Sequence, residues 1–361
     1  MINYFLFIII NTFLTFLEQI SERIKNGLLL SFSFIFIFIA IRYDYGYDYL
    51  MYEEEFKIIN SLNHKFWPPG MLRLEYGWIY LNKFFGSLGF NYLIIFLSLF
   101  YCLVLYLFIK TMLDRKLHVI SVLLLLLSPG IFILHQSLLR QCVALLFFLV
   151  AVLLVEKKQP LLYSCIVLIT ASFFHTSALL LLPLLFTQYI RLNTIHLCLI
   201  PILYLVIFFI GYNDYFYSSV AHTVALTFPK YAIYLQPSIN NEVQLNTGLG
   251  VVFAFANLLV ILYFKNEFFH TPSLRIIFFS VICSYLISPF SLIFSEFFRL
   301  NIYFEFFFII VIPLIYSFIS NRKLKYLYLC LNIIFSVYTL TSFFKNDKDE
   351  QKFNTYKTIF K

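Results

Sequence analysis

Long apolar runs alternate with short polar segments along the whole chain. Each run has about 15 to 22 residues, and about 20 apolar residues in a helix span the ~30 Å hydrocarbon core of a bilayer. The pattern therefore predicts an all-α polytopic membrane protein with about 12 transmembrane helices (range roughly 10 to 13). The shortest runs favour tilted spans or half-helices. The predicted spans are 3–20, 27–41, 91–110, 117–134, 138–155, 160–174, 176–190, 195–211, 248–264, 274–294, 297–318 and 324–344.

The composition agrees with this pattern. Of the 361 residues, 61% are hydrophobic and 12% are charged, and the mean hydropathy is +0.87. Globular proteins carry about twice that charged fraction. We therefore expect a single integral membrane domain over 1–361, without a separate soluble domain. The main outer-face loops are expected at 42–90, which includes an interfacial helix, and at 212–247.

Lysine and arginine set the orientation, because cytoplasmic loops are enriched in both. Thirteen of them fall on one side of the predicted spans and eight on the other. The side that is richer in lysine and arginine is predicted to be cytoplasmic, so the N-terminus is expected outside. Arg42, Arg140 and Arg299, which lie at ends of apolar runs, are then expected on the outer face. The richer connections are those near 21–26, 110–118, 156–159, 188–194, 265–275 and 319–325.

Those three arginines are the first candidates for function. A charge at the bilayer centre costs at least about 2.5–3.5 kcal/mol on insertion scales, so charges kept at a membrane edge among polar neighbours indicate a role. A guanidinium binds phosphate through two parallel N–H groups. Arg42, Arg140 and Arg299 are therefore candidate anion ligands. The alternative is that each arginine only anchors its helix at the interface.

The polar neighbours of the arginines supply the other groups that such a site needs. A nearby carboxylate orders a guanidinium, holds sugar hydroxyls or acts as a base, and a helix N-terminus attracts anions. Asp48, which follows Arg42 closely, is a candidate base. The predicted supporting residues are Asp44, Gln141, Glu296, Asn301 and Tyr303.

Glu75 and His175 are two further candidates. Glu75 begins the nearly amphipathic stretch 74–90, and it is either a helix-cap charge or an active-site carboxylate. His175 separates the runs 160–174 and 176–190, which fit two spans or a re-entrant pair better than one long helix. It is either a structural hydrogen-bonding residue or a phosphate donor or base. No second histidine has metal-ligand spacing, so no metal site is predicted.

In their order and spacing, the polar motifs resemble those of the EpsG family, polytopic proteins grouped with Wzy-type O-antigen and capsule polymerases. They extend over residues 42–303. Cys142 stands where a small residue such as glycine is expected, a departure that leaves the charged positions unchanged. The matching segments are Arg42…Gly46-Tyr47-Asp48…Tyr52, Glu75-Tyr76-Gly77, Leu139-Arg140-Gln141-Cys142-Val143-Ala144, Phe174-His175-Thr176-Ser177-Ala178-Leu179 and Phe298-Arg299-Leu300-Asn301-Ile302-Tyr303.

The resemblance implies an inverting polymerase of GT-C-like architecture at the outer face of the bacterial inner membrane, with no metal and no cofactor. Such an enzyme transfers a glycan from undecaprenyl diphosphate to a hydroxyl of another lipid-linked oligosaccharide. Its partners would be membrane lipid and a chain-length regulator and flippase of the same pathway, with no nucleic acid. The implied roles are a base among Asp48, Glu75 and His175 and diphosphate binding by Arg42, Arg140 and Arg299, with the arginines and His175 converging on one outer cavity.

Other function classes remain open. A flippase or transporter of lipid-linked sugars would also place arginines near anionic headgroups, but it should show internal repeats, and none is visible. An O-antigen ligase and a membrane O-acyltransferase are further alternatives. A nucleotide-dependent cytoplasmic enzyme is disfavoured, because the sequence has no Walker A motif, no GxGxxG in a βαβ setting and no DxD sugar-nucleotide motif.

Overall fold

In the part of the chain that it describes, the computed structural model is largely helical and contains one two-stranded sheet. The chain divides into two compact units. The first consists of Met1–Leu185 and Ile312–Lys361, and the second of Phe186–Val311. The single membrane domain over 1–361 stays a prediction. The described residues are 2–20, 25–61, 67–68, 71, 74–156, 159–211, 219, 222–223, 226, 248–291, 295–347 and 352–360.

The elements follow the apolar runs of the sequence. Short 3-10 turns occupy Arg115–Leu117 and Leu134–Gln136, and a longer 3-10 helix occupies Thr176–Tyr189. The α-helices and strands are α1 (Ile2–Ile20), α2 (Gly27–Ala40), β1 (Arg42–Tyr43), α3 (Tyr49–Ser61), α4 (Tyr76–Phe84), α5 (Phe90–Met112), α6 (His118–Leu127), α7 (Leu139–Glu156), α8 (Pro160–Phe173), α9 (Thr194–Gly211), α10 (Leu249–Tyr263), α11 (Lys265–Phe268), α12 (Pro272–Ser291), α13 (Ser295–Glu305), α14 (Phe308–Phe318), α15 (Arg322–Asn346) and β2 (Lys357–Thr358).

Five of the described helices are long and apolar enough to cross a membrane, and a sixth span results if α13 and α14, bent by 42°, count as one. Five more described helices are apolar but shorter, including α2, α8 and α10. The membrane-protein prediction is thereby confirmed. The total of about 12 spans and the GT-C-like architecture remain predictions.

Two predicted runs differ in detail. The run 117–134 is helical only to Leu127, because Pro129 disfavours helical backbone at the residue before it, and Ser128 is extended. The run 160–190 is broken as expected: α8 ends at Phe173 and the 3-10 helix begins at Thr176. The loop 212–247 lies outside the described residues, apart from isolated positions.

In the first unit, apolar helices pack side by side. The helix α2 contacts α1 and α5, and α7 contacts α5 and α8. A polar contact also joins α1 to α2: the Ser31 hydroxyl donates to the Asn11 amide oxygen at 3.0 Å, and both residues are buried. Small and polar residues at such interfaces are typical of membrane helices.

The segment 42–90 contains more helix than the sequence analysis predicted. The helix α3 buries Tyr49, Tyr52, Phe56 and Ile59, which recur every three or four residues and so form one face. That face packs against α4, whose Trp78 is fully buried and contacts Tyr52 at 5.4 Å between ring centroids. The stretch 74–90 contains α4, and its place at the membrane interface stays a prediction.

The C-terminal segment returns to the end of α2. We call residues 352–360 the C-terminal strap. Strand β2 pairs antiparallel with β1, with Arg42 opposite Thr358, and the Ile359 amide donates to the Ile41 carbonyl at 2.9 Å. The Tyr356 ring stacks on Phe38 at 4.4 Å. The strap therefore covers the chain at the point where α2 ends.

The second unit is built around α12. This helix packs against α13 and α9, and α10 packs against α9. Tyr204 of α9 contacts both Phe255 of α10 and Tyr285 of α12. Because α12 has 20 residues, its ends lie about 30 Å apart.

A close approach between α4 and α8 gives a test of this packing. A Cβ atom at Gly77 would lie 2.6 Å from the Phe173 carbonyl oxygen. Gly77→Ala should therefore lower the free energy of unfolding by about 1–3 kcal/mol through overpacking, although alanine inside an exposed helix normally gains about 1 kcal/mol. Unfolding of the purified protein by heat or denaturant measures the change.

The matched control is Gly86→Ala. There the obstacle is the flexible end of the Asn60 side chain, which can move aside, so the loss of stability should be clearly smaller. A Gly77→Ala protein at least as stable as the wild type would contradict the close contact of α4 with α8.

Candidate functional site

An ion pair joins the start of α7 to the start of α4. Arg140 Nη1 lies 3.0 Å from Glu75 Oε2, with the side chains 25% and 17% exposed. Glu75 immediately precedes α4, and Arg140 lies in the first turn of α7. A cation is disfavoured at a helix N-terminus by the helix dipole. The Glu75 carboxylate offsets this cost and fixes the guanidinium.

The helix α3 brings further polar groups to this pair. Tyr52 has a side-chain hydrogen bond with Arg140, and the Trp78 indole Nε1 donates to Glu55 Oε2 at 3.3 Å. Asp48 immediately precedes α3 and interacts electrostatically with Tyr52 and Glu55. The spacing of four and then three residues puts these three side chains on one helix face. We call Asp48, Tyr52, Glu55, Glu75 and Arg140 the carboxylate–arginine cluster.

The cluster changes the acidity of its members. Burial raises the pKa of the Glu55 carboxyl above its usual value; the Arg140 charge and the Trp78 hydrogen bond oppose this rise, and the Asp48 and Glu75 carboxylates add to it. Burial also raises the pKa of Tyr52 to about 12. Glu55 is therefore a better proton acceptor than an exposed carboxylate.

Arg42 lies nearby in the first unit, but it is enclosed. It is 1% exposed, and its Nη1 donates to the Ile39 carbonyl and to Ser98 Oγ, the latter at 3.2 Å. The cavity beside it, which Cys142 and His135 also line, measures about 10 Å³, the space of about one water. A diphosphate does not fit there in this conformation, so diphosphate binding by Arg42 remains a prediction that requires the segment to open.

Asp44 is bound to the C-terminal strap rather than to Arg42. Its two carboxylate oxygens lie 3.1 Å from Lys352 Nζ and 3.1 Å from Lys357 Nζ. Nearby, Gly46 has φ +114°, which favours glycine, and the Ser137 hydroxyl oxygen accepts from the Asp48 amide at 3.2 Å. The strap and the 134–138 turn thus fix the chain that leads into α3.

His175 lies at the break after α8. Its Nδ1 is 2.6 Å from the Ser177 hydroxyl. The neighbouring Phe174 stacks on Phe147 of α7 at 5.5 Å, and Phe173 lies against Gly77 of α4. The end of α8 therefore packs on the two helices whose first turns hold Glu75 and Arg140. Gln141, next to Arg140, is buried.

The third arginine belongs to the second unit. Arg299 lies on α13 and is exposed, whereas Asn301 and Tyr303 on the same helix are buried. A ring contact between Phe290 and Phe297 places the start of α13 at the far end of α12, opposite the end that carries Arg275. The side chain of Glu296 lies outside the described residues.

Comparison with known protein families finds a match over nearly the whole chain. The model of the EpsG family matches residues 25–358. The chain belongs to the EpsG family. No curated protein and no solved structure matches it.

The EpsG family is associated with Wzy-type polymerases, and its match includes every candidate site residue. It runs from the start of α2 to β2, so both the carboxylate–arginine cluster and most of the C-terminal strap belong to the family region. Among the described residues, no group of three or more His, Cys, Asp or Glu side chains has a metal-binding arrangement.

Glu55, Tyr52 and Trp78 were not predicted from the sequence as site residues. The signal was present, because Tyr49, Tyr52, Phe56 and Ile59 have amphipathic helical spacing. Recognising that helix would have placed Glu55 on the face of Asp48 and Tyr52. The polar character of 43–73 instead favoured a loop.

The two lysine contacts of Asp44 generate a prediction for the strap. Burial by itself would raise the pKa of Asp44, but the hydrogen bonds and charges of Lys352 and Lys357 outweigh it and lower this pKa. The attachment is therefore complete above the unfolded-state value of about 4 and is lost as the pH falls through the folded-state value. Asp44→Asn should lower the hydrogen-exchange protection factors of 352–360 at neutral pH, and acid should lower the same protection factors in the wild type.

The control for this prediction is Glu53→Gln. It removes the surface pair of Glu53 with Lys57, at 2.7 Å on α3, which is worth little because it is solvent-exposed. Exchange in 352–360 should stay at the wild-type rate. Equal protection of the strap in the Asp44→Asn protein would show that the lysine contacts do not hold it.

Proposed function

We propose that the chain is a polysaccharide polymerase that joins undecaprenyl-diphosphate-linked oligosaccharide repeat units at the outer face of the bacterial inner membrane. The observation that carries the proposal is the carboxylate–arginine cluster in a membrane protein of the EpsG family. The cluster combines the Arg140 guanidinium, which can neutralise a leaving phosphate, with carboxylates, which can accept a proton. A reaction in which a sugar hydroxyl displaces a lipid diphosphate needs both kinds of group.

The proposed reaction is a single displacement. A carboxylate removes the proton from the acceptor hydroxyl, and the oxygen attacks the anomeric carbon of the donor glycan. The bond from that carbon to the diphosphate breaks, and its electron pair leaves with the lipid diphosphate. Attack opposite the leaving group inverts the anomeric configuration. No metal takes part in the proposed steps.

Arg140 is the proposed ligand of the leaving diphosphate in the first unit. Its Nη1 is engaged by Glu75, while its side chain remains 25% exposed. A phosphate oxygen that reaches the guanidinium would gain a charge-assisted hydrogen bond that strengthens as negative charge develops. Arg299, exposed on α13 of the second unit, stays a predicted diphosphate ligand.

Glu55 is the carboxylate that the geometry favours as base. The indole of Trp78 orients it, burial raises its pKa, and it lies on the face of α3 that meets Arg140. A base works best when its pKa approaches the operating pH. Glu75 then serves to hold Arg140, and Asp48 and His175 remain candidate bases.

The first test concerns the arginines. Arg140→Lys and Arg299→Lys keep the charge but lose the planar fork, so each should lose most polymerisation while still inserting in the membrane. A glycan ladder on a gel reads the outcome in cells that lack the native gene. Single-repeat products are expected. Absence of all outer glycan would instead indicate a flippase.

The control is Arg322→Lys, at the exposed start of α15. It should leave the ladder unchanged. Normal ladders in both the Arg140 and the Arg299 variants would assign those residues to anchoring and would remove the main support for the proposal.

The second test identifies the base. Purified protein and lipid-linked repeat units, with EDTA present, should be assayed for Glu55→Gln, Asp48→Asn, Glu75→Gln and His175→Ala separately. Loss of the base should cost about 10²–10⁴-fold in rate. We expect that loss for Glu55→Gln. In the wild type, activity should fall as the pH drops through the raised pKa of Glu55, because the base must be deprotonated.

The matched control is Glu54→Gln, which neutralises the exposed neighbour of Glu55 and should keep nearly full activity. Full activity in all four variants, or loss of wild-type activity with EDTA, would contradict the proposed mechanism.

A further inference from the structure

A basic cavity in the second unit is not used by the proposed reaction. It measures about 400 Å³ and lies between the 188–192 segment, α11 and the start of α12. Three basic side chains line it, those of Arg191, Lys265 and Arg275. No carboxylate is among the described residues that line it.

Backbone carbonyls hold two of these cations in place. Arg275 Nε and Nη2 donate to the Phe269 carbonyl at 3.2 and 3.1 Å, and Nη1 donates to the Gln188 carbonyl. The guanidinium also lies over the Phe269 ring, 4.8 Å from its centroid. Lys265 Nζ donates to the Leu192 carbonyl at 2.8 Å. These contacts fix the direction of both charges without neutralising them.

Arg275 and Lys265 have more N–H groups than these contacts use. A guanidinium has five N–H groups, and Arg275 uses three of them on carbonyl groups. An ammonium has three, and Lys265 uses one. Arg191 adds an exposed guanidinium at the rim. Glu267, on α11, lies 3.6 Å from His270 in an exposed pair and is not part of the lining. The cavity therefore offers several fixed donors and three positive charges to an anion.

We infer that this cavity binds a phosphate group, supplied by the headgroup of an anionic lipid or by a soluble phosphate. Both connections that form it belong to the basic set that the sequence assigns to the cytoplasmic face. Basic pockets between membrane helices on that face bind anionic headgroups. The site lies at the Arg275 end of α12, about 30 Å from the end that leads to Arg299, so it is separate from Arg299, and its test does not depend on the proposed reaction.

The test is ligand-dependent stabilisation of the purified full-length protein in detergent. The probes are short-chain phosphatidylglycerol, short-chain phosphatidylcholine and inorganic phosphate, each at matched ionic strength. Phosphatidylglycerol should raise the unfolding temperature with saturation, because a ligand that binds only the folded state stabilises it. A shift with phosphatidylglycerol alone identifies a lipid headgroup. A shift with inorganic phosphate as well identifies a site open to soluble phosphate.

The decisive variant is Arg191→Gln/Lys265→Gln, which leaves the structural contacts of Arg275 intact. It should raise the apparent Kd by about tenfold or more, because it removes two of the three positive charges and the charge-assisted hydrogen bonds that they would donate to the phosphate. The single Arg191→Gln variant, which alters an exposed side chain, should weaken binding in the same direction and serves if the double variant is unstable.

The matched control is Arg322→Gln/Lys323→Gln, which removes two charges from an exposed helix start on the same predicted face. Its affinity should stay within about twofold of wild type. The inference is overturned if phosphatidylcholine stabilises as well as phosphatidylglycerol, if no probe stabilises, or if both double variants lose binding equally.

Discussion

The ion pair of Arg140 with Glu75 is the contact on which the arrangement of the first unit's polar groups depends. It sets the first turn of α7 against the start of α4, and α4 in turn carries Trp78, which packs on Tyr52 and orients Glu55. A partly buried cation left without its carboxylate would be strongly unfavourable. Glu75 therefore compensates the charge that Arg140 places in the partly buried start of α7.

The C-terminal strap adds a second constraint at the same end of the unit, because it pairs with β1 and binds Asp44 ahead of the turn that leads into α3. A loop that is held by other segments keeps its side chains in more precise positions.

Much of the fold follows from the sequence, because apolar runs of membrane length have few alternatives to helix. The break at His175 was visible in the polar residues between two apolar runs. The helix α3 was not predicted, because four charged residues lie between its four buried positions and lower the local hydropathy. These charged residues are Glu53, Glu54, Glu55 and Lys57. Glu55 belongs to the carboxylate–arginine cluster, and the others lie on other faces of the helix.

The candidate site was predictable only in part, and the reason lies in long-range contacts. Glu75 and Arg140 were each identified from their positions at helix starts, but their 3.0 Å contact joins residues 65 positions apart. The strap contributes to the burial of Arg42 and supplies the two lysines, Lys352 and Lys357, that bind Asp44. Its sequence is short and weakly patterned and does not predict a strand. Local periodicity cannot report such contacts.

The charge balance of the cluster bears on the division of roles in the proposed reaction. Asp48, Glu55 and Glu75 outnumber the single guanidinium of Arg140, so the cluster as a whole would repel a diphosphate if all three carboxylates were ionised. In the proposed reaction, the carboxylates would accept hydrogen bonds from sugar hydroxyls, and the raised pKa of Glu55 would let it take up the proton that the acceptor releases. Under that proposal, neutralising the diphosphate takes positive charge beyond that of Arg140.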